Sequence, residues 1–411
     1  MQKLYKVSQS TGKVQVWCGT TNQDVVKVTY GVKGGKMQTK EYKAVAKNVG
    51  RANATTPEQQ AEIELKALYE AQVTNKHYHY SEEEAIKASK DCRVPRKITN
   101  YKDRYNKMSD VLLSSVKKDG SRGCVVDGVF YSKTGREETI KVPHLAEAVK
   151  ALGSFATFDA EVYAEGLTLQ RIRSAWTKPV KTDKDIIKIA RDRAIDLSNT
   201  NKNLEWDILK AIDFLGYLPN EDAKKLKFFI FDIPTSGSET FEERVEMMHQ
   251  LEEVIEDKGL SDCFSFLYPI LTKSHEDRMH LLGKVCAEGS EGLVHYEPKG
   301  VYEFGKRSTN VAKSKPRYDS ECKVVDVTED KSGEGVLHCV ACDKLNNVKF
   351  KCKMKVTRRD GKRYERDYAT MCNLIGKWVT FSYVSLSVSG TPLKPVAEEE
   401  RECDEHGNPL A

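Results

Sequence analysis

Between residues 93 and 317, strand-like and helix-like segments follow one another without the steady strand–helix–strand rhythm of a doubly wound sheet. Period-two alternation predicts strands over 110–116, 123–131, 157–163, 226–233 and 292–296, and 3.6-residue periodicity predicts helices over 184–197, 203–213, 240–257 and 274–288. Most of these strands connect through hairpin-length turns or long helical insertions. That pattern excludes a parallel α/β core and predicts an α+β fold of antiparallel sheets with helices, over residues 95–316.

The flanking segments read differently. Alternation at 13–17 and 25–30, with turns at Gly31 and Gly34-Gly35, predicts a small sheet near the N-terminus. Thr56-Pro57-Glu58 then starts a helix whose apolar positions Ala61, Leu65, Leu68 and Tyr69 share one face. Residues 1–80 carry 12 Lys and Arg against 6 Asp and Glu, so they hold +6 while the whole chain of 411 residues holds +5. A basic segment on a near-neutral body suits contact with a polyanion. Residues 81–94 read as a linker with a capped helix. After residue 317 the chain is strand and turn: Lys349, Lys351, Lys353 and Lys355 alternate with Phe350, Cys352, Met354 and Val356, which puts four cations on one face of a strand. A five-stranded Greek-key barrel over 317–403 accommodates this. The polar, acidic residues 404–411 are expected to fray.

Several classes fall away. No apolar run nears the roughly 20 residues of a membrane helix, and no secretory h-region follows Met1. The eleven cysteines are scattered and odd in number, which argues against a disulfide framework and for reduced thiols in a cytoplasmic protein. Cys339 and Cys342 form a CxxC pair without two further ligands at zinc spacing. Residues 300–306 fit G-x-x-x-x-G-K, but Arg307 stands where a phosphate-cradling loop needs Ser or Thr.

The chemistry centres on Lys117, where the alternation of 111–117 meets Asp119-Gly120. A lysine there leaves a rigid strand end, and Gly120 permits a sharp turn or close approach to a ligand. A nucleophilic lysine must shed a proton. At an unperturbed pKa of about 10.4 only about one in 10³ is neutral at pH 7, and neighbouring cations such as Lys118 and Arg122 raise that share.

Five segments in order carry a resemblance: Lys117-Lys118-Asp119-Gly120-Ser121-Arg122, Asp159-Ala160-Glu161, Phe229-Ile230-Phe231-Asp232-Ile233, Glu288-Gly289-Ser290-Glu291-Gly292, and Lys313-Ser314-Lys315. Together they resemble the nucleotidyltransferase motifs of ATP-dependent DNA ligases, whose superfamily includes RNA ligases and GTP-using capping enzymes. Residues 165–170, Ser174-Ala175 and 302–309 extend the likeness toward small viral and bacteriophage ligases. Residues 374–383 resemble a late strand of the ligase OB-fold, so the likeness covers about 95–401.

The resemblance implies a nucleotidyltransferase (adenylation) domain followed by an OB-fold β-barrel and preceded by a small basic α+β domain. It implies that Lys117 carries AMP from ATP, Arg122 contacts ribose or the nick phosphate, Glu161 holds the ribose and Phe231 stacks on adenine. Lys313 and Lys315 would neutralise phosphate charge. Glu291 would bind Mg²⁺, with Mn²⁺ able to substitute, and Arg401 would orient pyrophosphate. Lys133 stands where such ligases commonly offer an arginine to the nick phosphate, keeping charge but losing the planar fork. With Lys349, Lys351, Lys353 and Lys355 it completes the expected DNA contacts. Residues 1–80 resemble a WGR-type nucleic-acid-binding domain through Trp17, Gly31–Gly35 and the basic 36–43. The implied activity is sealing of nicked duplex DNA by a monomer, without membrane contact. An RNA ligase, a capping enzyme and a catalytically inactive nucleic-acid-binding relative are the alternatives.

Overall fold

The alternating residues near the N-terminus form a four-stranded antiparallel sheet in sequence order: β1 (Leu4–Val7), β2 (Val14–Asn22), β3 (Val25–Val32) and β4 (Met37–Lys43). The structure, a computed structural model, describes residues 2–9, 11–198, 206–330, 332–356, 361, 363–387 and 390–410. Thr56 caps α1 (Pro57–Lys76) through a reciprocal box with Gln59, and Pro57 occupies the first turn, where its missing N–H costs nothing. Ala61 and Leu65 of α1 bury against Leu4, Trp17 and Val26. A second capping box, Ser81 with Glu84, starts α2 (Glu82–Lys90). The chain forms two compact units, residues 1–186 with 215–314, and residues 187–214 with 315–411.

From residue 97 to 314 the elements run β5 (Lys97–Asn100), β6 (Leu112–Lys117), β7 (Ser121–Val126), β8 (Val129–Ser132), α3 (Pro143–Leu152), β9 (Phe158–Tyr163), α4 (Leu169–Thr177), α5 (Asp183–Ser198), α6 (Ile208–Leu215), α7 (Glu221–Lys224), β10 (Lys227–Asp232), α8 (Phe241–Asp257), β11 (Phe264–Phe266), β12 (Ile270–Thr272), α9 (His275–Ala287), β13 (Gly292–Tyr296) and β14 (Arg307–Ser314). The strands build two five-stranded sheets, ordered β11-β10-β9-β7-β8 and β12-β6-β13-β14-β5. Most pairings are antiparallel; β10 with β11 and β14 with β5 are parallel. Phe158, Phe228 and Ile230 of the first sheet pack against Leu145 and Val149 of α3, Ile172 of α4 and Met248 of α8. Each such side chain contributes roughly 1.5–3 kcal/mol on burial.

Two expectations change. The single strand expected over 123–131 is the hairpin of β7 and β8. Asp127 and Gly128 turn it with φ of 51° and 80°, the positive pair a two-residue hairpin turn requires. The helix expected from 203 begins as α6 at Ile208, and residues 203–205 lie outside the described ones.

The second unit contains β15 (Tyr318–Glu329), β16 (Gly335–Ala341), β17 (Lys349–Met354), α10 (Tyr368–Cys372), β18 (Trp378–Tyr383), β19 (Ser385–Leu386), β20 (Pro392–Leu393) and β21 (Val396–Arg401). Five of these strands close a barrel, β15-β16-β17-β21-β18. On β17, Phe350, Cys352 and Met354 enter the barrel core while Lys349 and Lys351 are exposed. Val356, expected on the same apolar face, lies past the end of β17 and is exposed. Over residues 404–410, expected to fray, Asp404 accepts from the N–H groups of His406 (2.9 Å) and Asn408 (2.8 Å), and Cys403 bridges Pro409. Among the described residues no helix is long and apolar enough to cross a membrane.

Candidate active site

Strand β6 ends on Lys117, and its register with β13 sets Lys117 opposite Gly292. That pairing brings Glu291 alongside. The Glu291 N–H donates to Lys117 O (3.0 Å), and the Lys117 ammonium reaches Glu291 Oε2 at 2.5 Å. The chain then turns at Asp119-Gly120 against β9. Gly120 N–H donates to Glu161 Oε1 (3.1 Å), and a Cβ at residue 120 would collide with the backbone oxygen of Val162. The approach that calls for a glycine at this turn is to the backbone of β9.

Glu161 lies at the centre of the first core sheet. Arg122 of β7 is its register partner on one side and Phe229 of β10 on the other. Between Ile230 and Asp232 the register slips, leaving Phe231 without a partner on β9. A bulge of this kind re-aims a side chain, and Phe231 joins the cavity in place of the packed core that its apolar strand would suggest. The Arg122 guanidinium lies 5.6 Å from the Phe231 ring centroid.

Behind these groups runs a buried ionic network. Arg122 forks onto Asp159 (2.9 and 2.6 Å) and donates to Arg96 O (2.7 Å), while Tyr302 donates to the same carboxylate (2.6 Å). Arg96 pairs with Asp232, which also takes Arg244 at 2.7 Å. The Arg96 guanidinium lies between the rings of Tyr302 (4.6 Å) and Tyr296 (5.2 Å), and Tyr296 stacks on Phe241 at 3.9 Å. Burial pushes the Glu161 carboxyl up to about 7 against the pull of Lys117 and Arg122, with Glu291 adding to the rise.

A second brace crosses the other core sheet. His295 on β13 bonds Ser114 of β6 (2.8 Å) and Ser314 of β14 (2.7 Å), and Ser114 also meets Thr272 of β12 (2.9 Å). It ties together the strands that carry Lys117 and Lys313. Burial, with Arg278 and His275 nearby, pushes His295 down to about 3, so the brace is neutral.

One cavity is therefore lined by Lys117, Arg122, Glu161 and Phe231 together with Arg96 and Tyr296. Lys313 lies two strands from Lys117 in the same sheet, paired with Val294 of β13. Lys315 is the first residue after Ser314 to belong to the second unit, and Arg401, exposed, ends β21 in that unit. Lys133 lines a different cleft, beside the N-terminal sheet. On β17, Lys353 is committed to Asp330 (2.5 Å) and Glu334 (2.7 Å), and Lys355 to Glu398 (2.6 Å); Lys349 and Lys351 face solvent.

Asp159, Arg96 and Asp232 escaped selection from the sequence. Asp159 could have been found, since it stands two residues before Glu161 on the same face of β9. The Arg96–Asp232 pair spans 136 positions and leaves no local signal.

Two antiparallel-rich sheets flanking a strand-end lysine, followed by a closed five-stranded barrel, define a nucleotidyltransferase core with an OB-fold. Comparison with known proteins narrows the class. The profile of the "ATP dependent DNA ligase domain" family matches residues 95–315, more than half of the chain, and the protein belongs to the ATP-dependent DNA ligase family. Among solved structures, a Lig E DNA ligase described as binding DNA with a minimal scaffold has TM-score 0.52 and 20% identity, covering 75% of this chain and 98% of its own. A structure named Pmar-Lig_PreS3 has TM-score 0.53 and 15% identity, covering 78% of this chain and 72% of its own. The adenylate of Chlorella virus DNA ligase has TM-score 0.38 and 18% identity, covering 76% of this chain and all of its own. No curated protein matches the sequence significantly.

Proposed function

We propose that this ligase seals 5′-phosphate/3′-hydroxyl nicks in duplex DNA, acting as a monomer, through AMP carried on Lys117. The observation that carries the proposal is the convergence of Lys117, Glu161, Arg122 and Phe231 on one cavity with Glu291 at 2.5 Å from the lysine. In the first step the Lys117 Nζ lone pair attacks the α-phosphorus of ATP. An N–P bond forms, the bond to the bridging oxygen breaks, and pyrophosphate leaves. A 5′-phosphate oxygen at the nick then displaces Lys117 from that phosphorus, and the 3′-hydroxyl finally displaces AMP.

The roles are those the family resemblance implies. Glu161 would hold the ribose, Phe231 would stack on adenine, and Arg122, paired with Asp159, would contact the ribose or the nick phosphate; that all three line one cavity supports this reading. Arg96 Nη1 is buried and has no hydrogen-bond partner among the described residues, which suits it to a nucleotide oxygen. Lys313, Lys315 and Arg401 would serve the phosphates. The free space at the cavity is about 60 Å³, below the roughly 300 Å³ at which ligand pockets begin. Nucleotide entry therefore requires the cavity to widen, and parting of Lys117 from Glu291 would release Nζ for the phosphate and Glu291 for a cation. Among the described residues no cluster of three or more ligating side chains could hold a metal ion alone. One carboxylate completed by phosphate oxygens fits the way Mg²⁺ is bound, and the ion would supply neutralisation of the phosphate charge. Lys133 and the exposed Lys349 and Lys351 are assigned to DNA, as are basic residues of the N-terminal segment.

The test is sealing of a labelled nicked duplex with ATP, GTP or NAD supplied separately, and with an RNA strand at the nick in parallel. ATP alone should support sealing of the DNA nick. Sealing with GTP or NAD but not ATP, or of RNA nicks only, would refute the proposal.

A further inference from the structure

Where the N-terminal sheet meets the adenylation core, within the first unit, lies a cleft of about 660 Å³. Six cationic side chains line it: Lys6 of β1, Lys76 at the end of α1, Arg93, Lys97 of β5, Lys133 after β8 and Arg307 of β14. The single carboxylate in the lining, Asp91, is taken by Arg93 at 3.0 Å. Among the described residues none of the other five cations makes an ion pair. Elsewhere on the N-terminal segment the lysines are often matched: Lys27 with Glu41, Lys33 with Glu82 and Lys47 with Glu64.

The cleft is built and not incidental. His77 Nε2 bonds Thr134 O across it, Gln9 Nε2 donates to Ser89 O (3.0 Å), and Lys6 Nζ donates to Lys76 O (2.6 Å). Lys97 and Arg307 are register partners on parallel strands, so their side chains leave the same face of the sheet. Lys6 is half-buried while Lys97, Lys133 and Arg307 are exposed. Like charges held together this way repel: burial first, then Lys97, lowers the pKa of Lys6. Such a site is completed by an anion with several charges along its length, because each phosphate it neutralises also releases condensed counterions.

We propose that this cleft grips the phosphate backbone of duplex DNA, with Lys6, Lys97, Lys133 and Arg307 as the contacts. The proposal rests on the ligase reading above, and it makes the N-terminal sheet and the adenylation core share one strand of the substrate. Among the described residues Tyr131 is the one large aromatic ring in the lining, whereas a path for unstacked bases needs a series of them. That favours backbone contact without sequence readout.

The test measures affinity of the full chain for a fluorescein-labelled nicked duplex across a salt series in EDTA. The double variant Lys6→Ala/Lys97→Ala should lower the slope of log affinity against log salt by about two, roughly one for each phosphate that goes unneutralised. Lys97→Arg, which keeps the charge, should retain the wild-type slope. An unchanged slope in the double variant overturns the cleft assignment. Lysine acetylation of the wild-type chain supplies a reading that needs no variant: Lys6 and Lys97 should be protected by the nicked duplex. Equal protection by inorganic pyrophosphate alone would mark a small-anion site and overturn the backbone proposal. Sealing by the wild-type chain with ATP, read from the same preparation, separates the two claims. A chain that seals nicks while its double variant keeps the slope refutes the cleft and leaves the ligase reading standing.

Discussion

Glu161 and His295 are buried titratable groups whose surroundings push them in opposite directions. Glu161 titrates near 7 in the folded chain against an ordinary 4.5, so the folded state holds its proton longer than the unfolded state does. Stability from this residue is present below about pH 4.5 and is lost as pH rises toward 7. Glu161→Gln should flatten the fall in thermal midpoint across that window, and a fall of wild-type steepness in the variant would contradict the assignment. His295 titrates near 3 against 6.5, so the unfolded state takes up its proton first and stability is lost as pH falls from about 6.5 toward 3. In His295→Asn that acid loss should shrink, measured by thermal unfolding over the same series; an acid limb identical to wild type would show that another group sets it. The motif residues were legible because family order singled them out. Their protonation was not, since Glu161 owes its shift to burial and to Glu291, against the pull of Lys117 and Arg122, groups that come from separate parts of the chain.

At the scale of elements, the ionic network fixes the wall of the site. Asp232 is fully buried and serves Arg96 and Arg244 at once. Removing one partner of a buried pair typically costs about 3–5 kcal/mol, because the charges left behind are neither solvated nor matched. Asp232→Ala should therefore lower the denaturant midpoint strongly; a midpoint within error of wild type would show that the arginines find other partners. Alternation and capping made most strands and helices readable: the Thr56 box, the Ser81 box and the lysine alternation of β17 follow from local pattern. Pattern could not show that Phe231 sits on a bulge, or that Asp127-Gly128 splits an apparent strand into a hairpin. Nor could it show that Lys353 and Lys355 meet Asp330, Glu334 and Glu398, which come from other parts of the barrel sequence. An exposed strand face read from period two is a face of backbone geometry, and its charge depends on neighbours set by topology.

The molecule as a whole distributes the work. The first unit contains the adenylation core together with the basic N-terminal sheet, and the second contains the barrel whose β17 presents Lys349 and Lys351. The positive balance of the first eighty residues was readable as a polyanion signal, but the cleft it helps to form was not. Half of the cations in that cleft are Lys97, Lys133 and Arg307, which lie in the core sequence. The central claim is that Lys117 carries AMP between ATP and DNA. Its most direct measurement is incubation of the full chain with α-labelled ATP and Mg²⁺, followed by peptide mapping and a chase with nicked duplex. The account predicts a covalent label on the peptide bearing Lys117, transferred to DNA on the chase and absent from Lys117→Ala. Undiminished label in Lys117→Ala, or label that the nicked duplex cannot discharge, would contradict it.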